Sequence, residues 1–141
     1  MQHDIAARLA ARTGDRAAAL AHAKRALALW DVHTENQPEL MPEPAMRFHL
    51  ATLWRSAGQV DSAAALFRSL VPPTTWMGYY TARAALELGE LREAGGARAS
   101  AEGYYLTALA LWERGDSVVA PYRARARRGF DRVVEGARRV R

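Results

Sequence analysis

Four histidines (His3, His22, His33 and His49) and three glutamates (Glu35, Glu39 and Glu43) are the side chains best suited to hold a metal or move a proton. A metal site needs ligands at set spacings. These histidines lack them, and the chain has no cysteine to join them. His33 shares one proline-bearing stretch with the three glutamates, a set that would suit hydrolysis or metal binding. Ordinary polar residues of a solvated loop explain it better. The glycines form no phosphate-binding loop, because Gly95-Gly96 runs into Ala97-Arg98 rather than Gly-Lys-Ser. Catalytic, cofactor-binding and metal-binding residues are expected to be none, and the protein is expected not to be an enzyme.

Charge raises a second chemistry. The net charge is +5, but residues 1–116 carry 12 Lys+Arg against 13 Asp+Glu, whereas residues 117–141 carry eight Arg against Asp131 and Glu135. Clustered cations can neutralise phosphates. Here they spread around the whole non-apolar arc of one helix with no exposed aromatics between them, so a solvated face is preferred and nucleic acid is disfavoured. Of 20 basic residues only Lys24 is lysine, which looks like a GC-rich coding bias and discounts the arginine count further. No segment is apolar for long enough to span a bilayer, so no membrane partner is expected. Absence of cysteine leans towards a reducing compartment, and a cytoplasmic location is the expectation. The Ala- and Arg-bearing start could pass for a transit peptide, yet it fits better as a first helix.

Paired aromatics offer a third. Tyr79-Tyr80 and Tyr104-Tyr105 would make a stacking platform, but neighbours on a helix point about 100° apart, so at most one of each pair faces a core. Tyr105 is assigned to the core. Tyr104 and one of Tyr79 and Tyr80 are left as candidates for exposure, and the four tryptophans are read as structural.

The elements that position these residues follow from one spacing that occurs three times. Gly14, Gly58 and Gly96 each precede an alanine by five residues: Ala19, Ala63 and Ala101. Those lead to Ala23, Phe67 and Tyr105 four residues on, and to Ala26, Leu70 and Ala108 three further. A glycine turn followed by small and bulky residues at helical spacing is the second half of a helix–turn–helix repeat. The spacing predicts a repeat over about 3–31, with Ile5 and Leu9 inward and Arg8 and Arg12 outward on its first helix. Asp15 caps the second helix, on which Leu20, Ala23, Leu27 and Trp30 share a face. A proline-rich loop follows over 32–44, where Pro38, Pro42 and Pro44 exclude regular helix across most of it. A second repeat covers about 45–73 and a third about 75–113. A capping helix spans about 117–140, with Val119, Tyr122, Ala126, Phe130, Val133, Ala137 and Val140 as its apolar stripe and arginines elsewhere. All 141 residues form one all-α domain.

The pattern resembles the tetratricopeptide repeat (TPR) family, in which Leu-Gly and an aromatic mark the first helix, Gly the turn, and Ala-x3-aromatic-x2-Ala the second. Leu88-Gly89, Gly96, Ala101, Tyr105 and Ala108 match it, as do Leu50-Ala51, Trp54, Gly58, Ala63, Phe67 and Pro73; Ala6-Ala7, Gly14, Ala19, Ala23 and Ala26 match it degenerately. The departures are turn glycines 44 and then 38 residues apart, missing terminal prolines in the first and third repeats, and Arg92 in place of an aromatic. The closing segment is similar to TPR arrays attached to bacterial signalling proteins. The resemblance implies an α-α superhelix of three antiparallel helix pairs plus the cap, a non-enzymatic scaffold binding a protein or peptide through its concave face. It places the groove near Asp4, Arg8, Arg12, Phe48, Thr52, Arg55, Arg83, Leu86 and Glu90, and it lacks the Lys/Asn clamp for a C-terminal carboxylate. The alternative is a self-assembling solenoid, a head-to-tail homo-oligomer or filament joined through Ile5, Leu9, Tyr122, Phe130 and Val133, because a repeat stack needs its bare edge covered.

Overall fold

In a computed structural model, residues 2–33, 43–71 and 78–139 are described, and all their regular structure is helical. The elements are α1 (Gln2–Arg12), α2 (Arg16–His33), α3 (Glu43–Ser56), α4 (Val60–Leu70), α5 (Gly78–Ala94), α6 (Arg98–Leu111) and α7 (Ala120–Arg139). Two compact units divide the chain, Met1–Leu66 and Phe67–Arg141.

The three expected turns close alike. Gly14, Gly58 and Gly96 have φ of 83°, 76° and 76°, where side chains with a Cβ are strained. Each glycine N–H donates to the carbonyl three residues back (Ala11, Arg55, Glu93), and the next N–H to the carbonyl five back (Ala10, Trp54, Arg92). That pair of bonds satisfies carbonyls orphaned at a helix end, and the left-handed glycine is what lets both form. The first helical bond of each following helix then falls on Ala19, Ala63 and Ala101. Asp15 accepts a further bond from the Ala18 N–H at 2.9 Å, the cap expected of it. Gly96→Ala should cost about 1–2 kcal/mol by its positive φ. Gly103→Ala, in open space on a helix, should instead gain up to about 1 kcal/mol. Urea unfolding of the two variants checks the opposite signs.

The spacing also sets the core. Ala19, Ala63 and Ala101 are fully buried, and so are Phe67, Tyr105 and Ala108; Ala23, Ala26 and Leu70 stay below a tenth exposed. Seven residues before each turn glycine stands a small buried residue, Ala7, Ala51 or Gly89. In the first unit Ala7, Ala19, Ala23, Leu50 and Leu53 form the core, flanked by Ala10, Ala11, Leu20, Leu27, Trp54 and Leu66. In the second, Ala82, Ala85, Leu86, Ala101, Tyr105, Ala108, Trp112, Val119, Ala126 and Val133 pack together.

Three expectations are corrected. Ile5 and Leu9 do not face inward: they are 61% and 63% exposed, and α1 meets α2 through its alanines. Small side chains let the two helices approach closely, which turns the bulky pair outward. The expected proline loop is shorter than 32–44, because α2 runs to His33 and α3 starts at Glu43. Pro44 sits in the first turn of α3, where a missing N–H is harmless. The cap helix starts at Ala120, not near 117. Residues 34–42, with Pro38, Glu35 and Glu39, and residues 72–77, with Pro73 and Trp76, lie outside the described residues, as do the side chains of Asp4, Trp30, His33 and Glu43 and the whole of Val140.

Candidate functional site

The face chosen for a partner splits into two kinds of residue. Arg8, Thr52 and Glu90 each stand six residues before a turn glycine, so they hold one register position on α1, α3 and α5. Arg8, Arg12 and Thr52 are exposed and Arg55 is half-buried. Phe48 and Leu86 are buried at 8% and 0% exposure, so both belong to the interior rather than to an open surface.

In the 67–141 unit this face is already engaged. The Arg83 guanidinium lies 4.0 Å from the Tyr122 ring centroid and donates to the Tyr79 hydroxyl at 3.0 Å. Tyr122 also stacks on Trp112 at 6.0 Å and meets the edge of Tyr79 at 6.5 Å. Of the tyrosines named in sequence, Tyr79 is exposed, Tyr80 and Tyr104 are half-buried and Tyr105 is fully buried.

Below this cluster an ionic ladder joins α5 to α7. Arg125 binds Glu90 through Nη2 at 2.8 and 2.9 Å and reaches Glu87 at 3.4 Å. Arg132 grips both oxygens of Glu93, Nε to Oε1 at 2.8 Å and Nη2 to Oε2 at 2.9 Å. The Tyr105 hydroxyl donates to Glu93 Oε2 at 2.5 Å. Not all α7 arginines are therefore a solvated face, as the sequence suggested. Arg125 and Arg132 hold the helix in place, and Arg123 donates to the Trp112 carbonyl. The clue was present in the spacing. Glu87, Glu90 and Glu93 recur every three residues on α5, and Arg125 and Arg132 lie two turns apart on α7.

These contacts shift protonation. The hydrogen bond from Arg132, against the opposing effect of burial and with help from Tyr105, holds the Glu93 carboxyl below its ordinary range. Burial, then the Glu93 carboxylate, pushes the Tyr105 hydroxyl well above its usual range. Arg132 is held protonated more firmly by Glu93, and Arg125 by Glu90 in spite of burial. A depressed carboxyl stabilises the fold above its unfolded pKa, so stability should fall as pH drops below about 4.3. A raised phenol does the reverse, so stability should also fall as pH climbs past about 10. Urea midpoints of the wild type and of Tyr105→Phe across pH 3–11 would show the alkaline loss vanishing in the variant.

The residues named for self-association also divide. Val133 is 3% exposed, and Tyr122 and Phe130 pack against the same core, so the α7 stripe closes its own unit. Ile5 and Leu9 remain outside. His3 and His22, 19 residues apart, meet across α1 and α2 with Nδ1 atoms 3.2 Å apart and rings stacked at 5.5 Å. Sequence spacing alone hid this pair, because a helix hairpin creates it. Among the described residues no three His, Asp or Glu side chains converge as metal ligands, and no helix is long and apolar enough to cross a membrane. Comparison with protein-family models, with curated proteins and with solved structures finds no match.

Proposed function

We propose that the chain is a TPR-like helical-repeat module that binds a partner protein or peptide segment along the exposed register of its first helices, without catalysis. The observation that carries this reading is the threefold recurrence of one turn, with the same glycine conformation, the same pair of hydrogen bonds and the same buried alanine five residues on. A repeat of that kind lines up equivalent side chains from successive first helices, and extended surfaces of this sort are what repeat proteins present to partners. Of the groove residues on α1 and α3, Arg8, Arg12 and Thr52 are exposed and Arg55 is half-buried. Peptides selected from a random library on the immobilised full chain should bind Thr52→Arg and Arg55→Glu at least tenfold more weakly than wild type, with helicity unchanged by circular dichroism. Equal binding to all three proteins, or no peptide selected, would sink the reading.

A further inference from the structure

Neither the core nor the register above employs the His3–His22 pair. The two rings stand eleven residues before Gly14 and eight after it, at the open end of the α1–α2 hairpin, and both are half-buried. Alanines hold their backbones in place. His3 lies one turn before Ala7 and His22 one turn after Ala19, and these two alanines pack in one cluster with Ala23, flanked by Ala10 and Ala11. Side chains this short keep the helices close, so helix contact sets the separation of the two histidines.

Their Nδ1 atoms are 3.2 Å apart, with ring planes 28° from parallel. As a hydrogen bond this needs Nδ1–H on one ring and a bare Nδ1 on the other. The same distance suits a shared ion. Imidazole–zinc bonds of about 2.0–2.1 Å put the ion off the line between the nitrogens, at an N–metal–N angle of about 100°, between octahedral and tetrahedral values. Re-aiming the two lone pairs takes a turn about χ2, a broad torsion in histidine. The donating ring moves its proton from Nδ1 to Nε2, so both rings bind as neutral ligands and no net charge is lost. We infer that His3 and His22 form a two-histidine site for a borderline transition-metal ion, Zn2+ or Cu2+, which clips α1 to α2 and keeps water in its remaining positions.

Ligand type sets the selectivity. Imidazole nitrogen suits zinc, copper and nickel, whereas Ca2+ and Mg2+ require oxygen ligands. Cu2+ should bind more tightly than Zn2+ by the general order of divalent ions. Among the described residues no third His, Asp or Glu converges on the pair. The ion therefore adds to a hairpin that folds without it, unlike a closed structural zinc site.

The test titrates ZnCl2 into the full chain near pH 7.5 by isothermal calorimetry, with CaCl2 as the control. One Zn2+ per chain should bind, and Ca2+ should give no heat. His3→Gln and His22→Gln keep a polar side chain but remove the imidazole. Each should weaken Zn2+ binding by more than tenfold, since even an outer partner of a ligand typically costs about 10–100-fold. His33→Gln should leave it unchanged. Zn2+ should raise the urea midpoint of the wild type and not that of either Gln variant, because an ion bound only by the folded state stabilises it. Nitrogen-15 spectra of the wild-type imidazoles should show both Nδ1 signals shifting with Zn2+ while both Nε2 stay protonated, a readout that needs no variant. No saturable Zn2+ binding, binding that survives both Gln variants, or ligation through Nε2 would overturn the inference. So would a mass that doubles with Zn2+ in light scattering, which would place the two ligands on different chains.

Discussion

Tyr105→Ala is expected to destabilise the 67–141 unit by about 3–5 kcal/mol, the range for truncating a buried aromatic. The ring has no exposed surface and lies at the meeting point of three helices, with Ala82, Ala85, Ala101, Ala126 and Val133 in the same cluster. None of these neighbours is large enough to fill the space it would leave. Its hydroxyl meanwhile completes the Glu93–Arg132 pair. Tyr105→Phe separates the two contributions. It keeps the ring and removes one hydrogen bond to a charged acceptor, worth about 1.5–3 kcal/mol. Arg132 remains to satisfy Glu93, so the lower end is expected. Urea denaturation followed by circular dichroism measures both, and a Tyr105→Ala loss no larger than that of Tyr105→Phe would show the ring to be dispensable.

Gly129→Ala should also destabilise, although alanine is the better helix former by about 1 kcal/mol. A Cβ on Gly129 would stand 2.6 and 2.7 Å from Cε1 and Cε2 of Tyr105, inside any real contact. The ring has little room to shift, because Gly89 packs close to it too: a Cβ built there would meet Cδ1 and Cε1 of Tyr105 at 2.7 Å. Overpacking of this kind costs about 1–3 kcal/mol, enough to exceed the propensity gain. Gly136→Ala, on the same helix, has only the end of the Arg98 side chain nearby at 3.5 Å and should be neutral or stabilising. Combining Gly129→Ala with Tyr105→Leu supplies the decisive sign. The smaller side chain makes room for the new methyl, so the double variant should be more stable than the sum of the two single losses. A strictly additive pair would mean that the glycine and the ring do not touch.

Much of the fold was legible because it depends on local rules. Three glycines at the turns, an alanine five residues after each and a bulky or small residue at helical spacing are enough to specify helix hairpins, whatever surrounds them. Helix ends followed the same logic, within the few residues by which Pro44 was admitted to a first turn. Burial of the nine motif positions followed too, since a helix apolar along one stripe must cover it.

What the amino-acid sequence by itself determined is therefore the all-α class, the three turns and the side of each second helix that is buried. The tertiary structure alone decided where the remaining side chains go. Hydrophobic periodicity assigns Ile5 and Leu9 to a core stripe without saying which neighbour is close, and α2 meets α1 through its alanines instead. Phe48 and Leu86 fell inside although first-helix positions placed them on a groove. Glu90 and Arg125 are 35 residues apart, His3 and His22 are 19 apart, and Gly89 and Gly129 close on Tyr105 from two other helices. Such meetings depend on how helices pack across many residues of chain. Pattern within one helix carries no term for the distance between helices, and that distance is what brings charge, ring and glycine together.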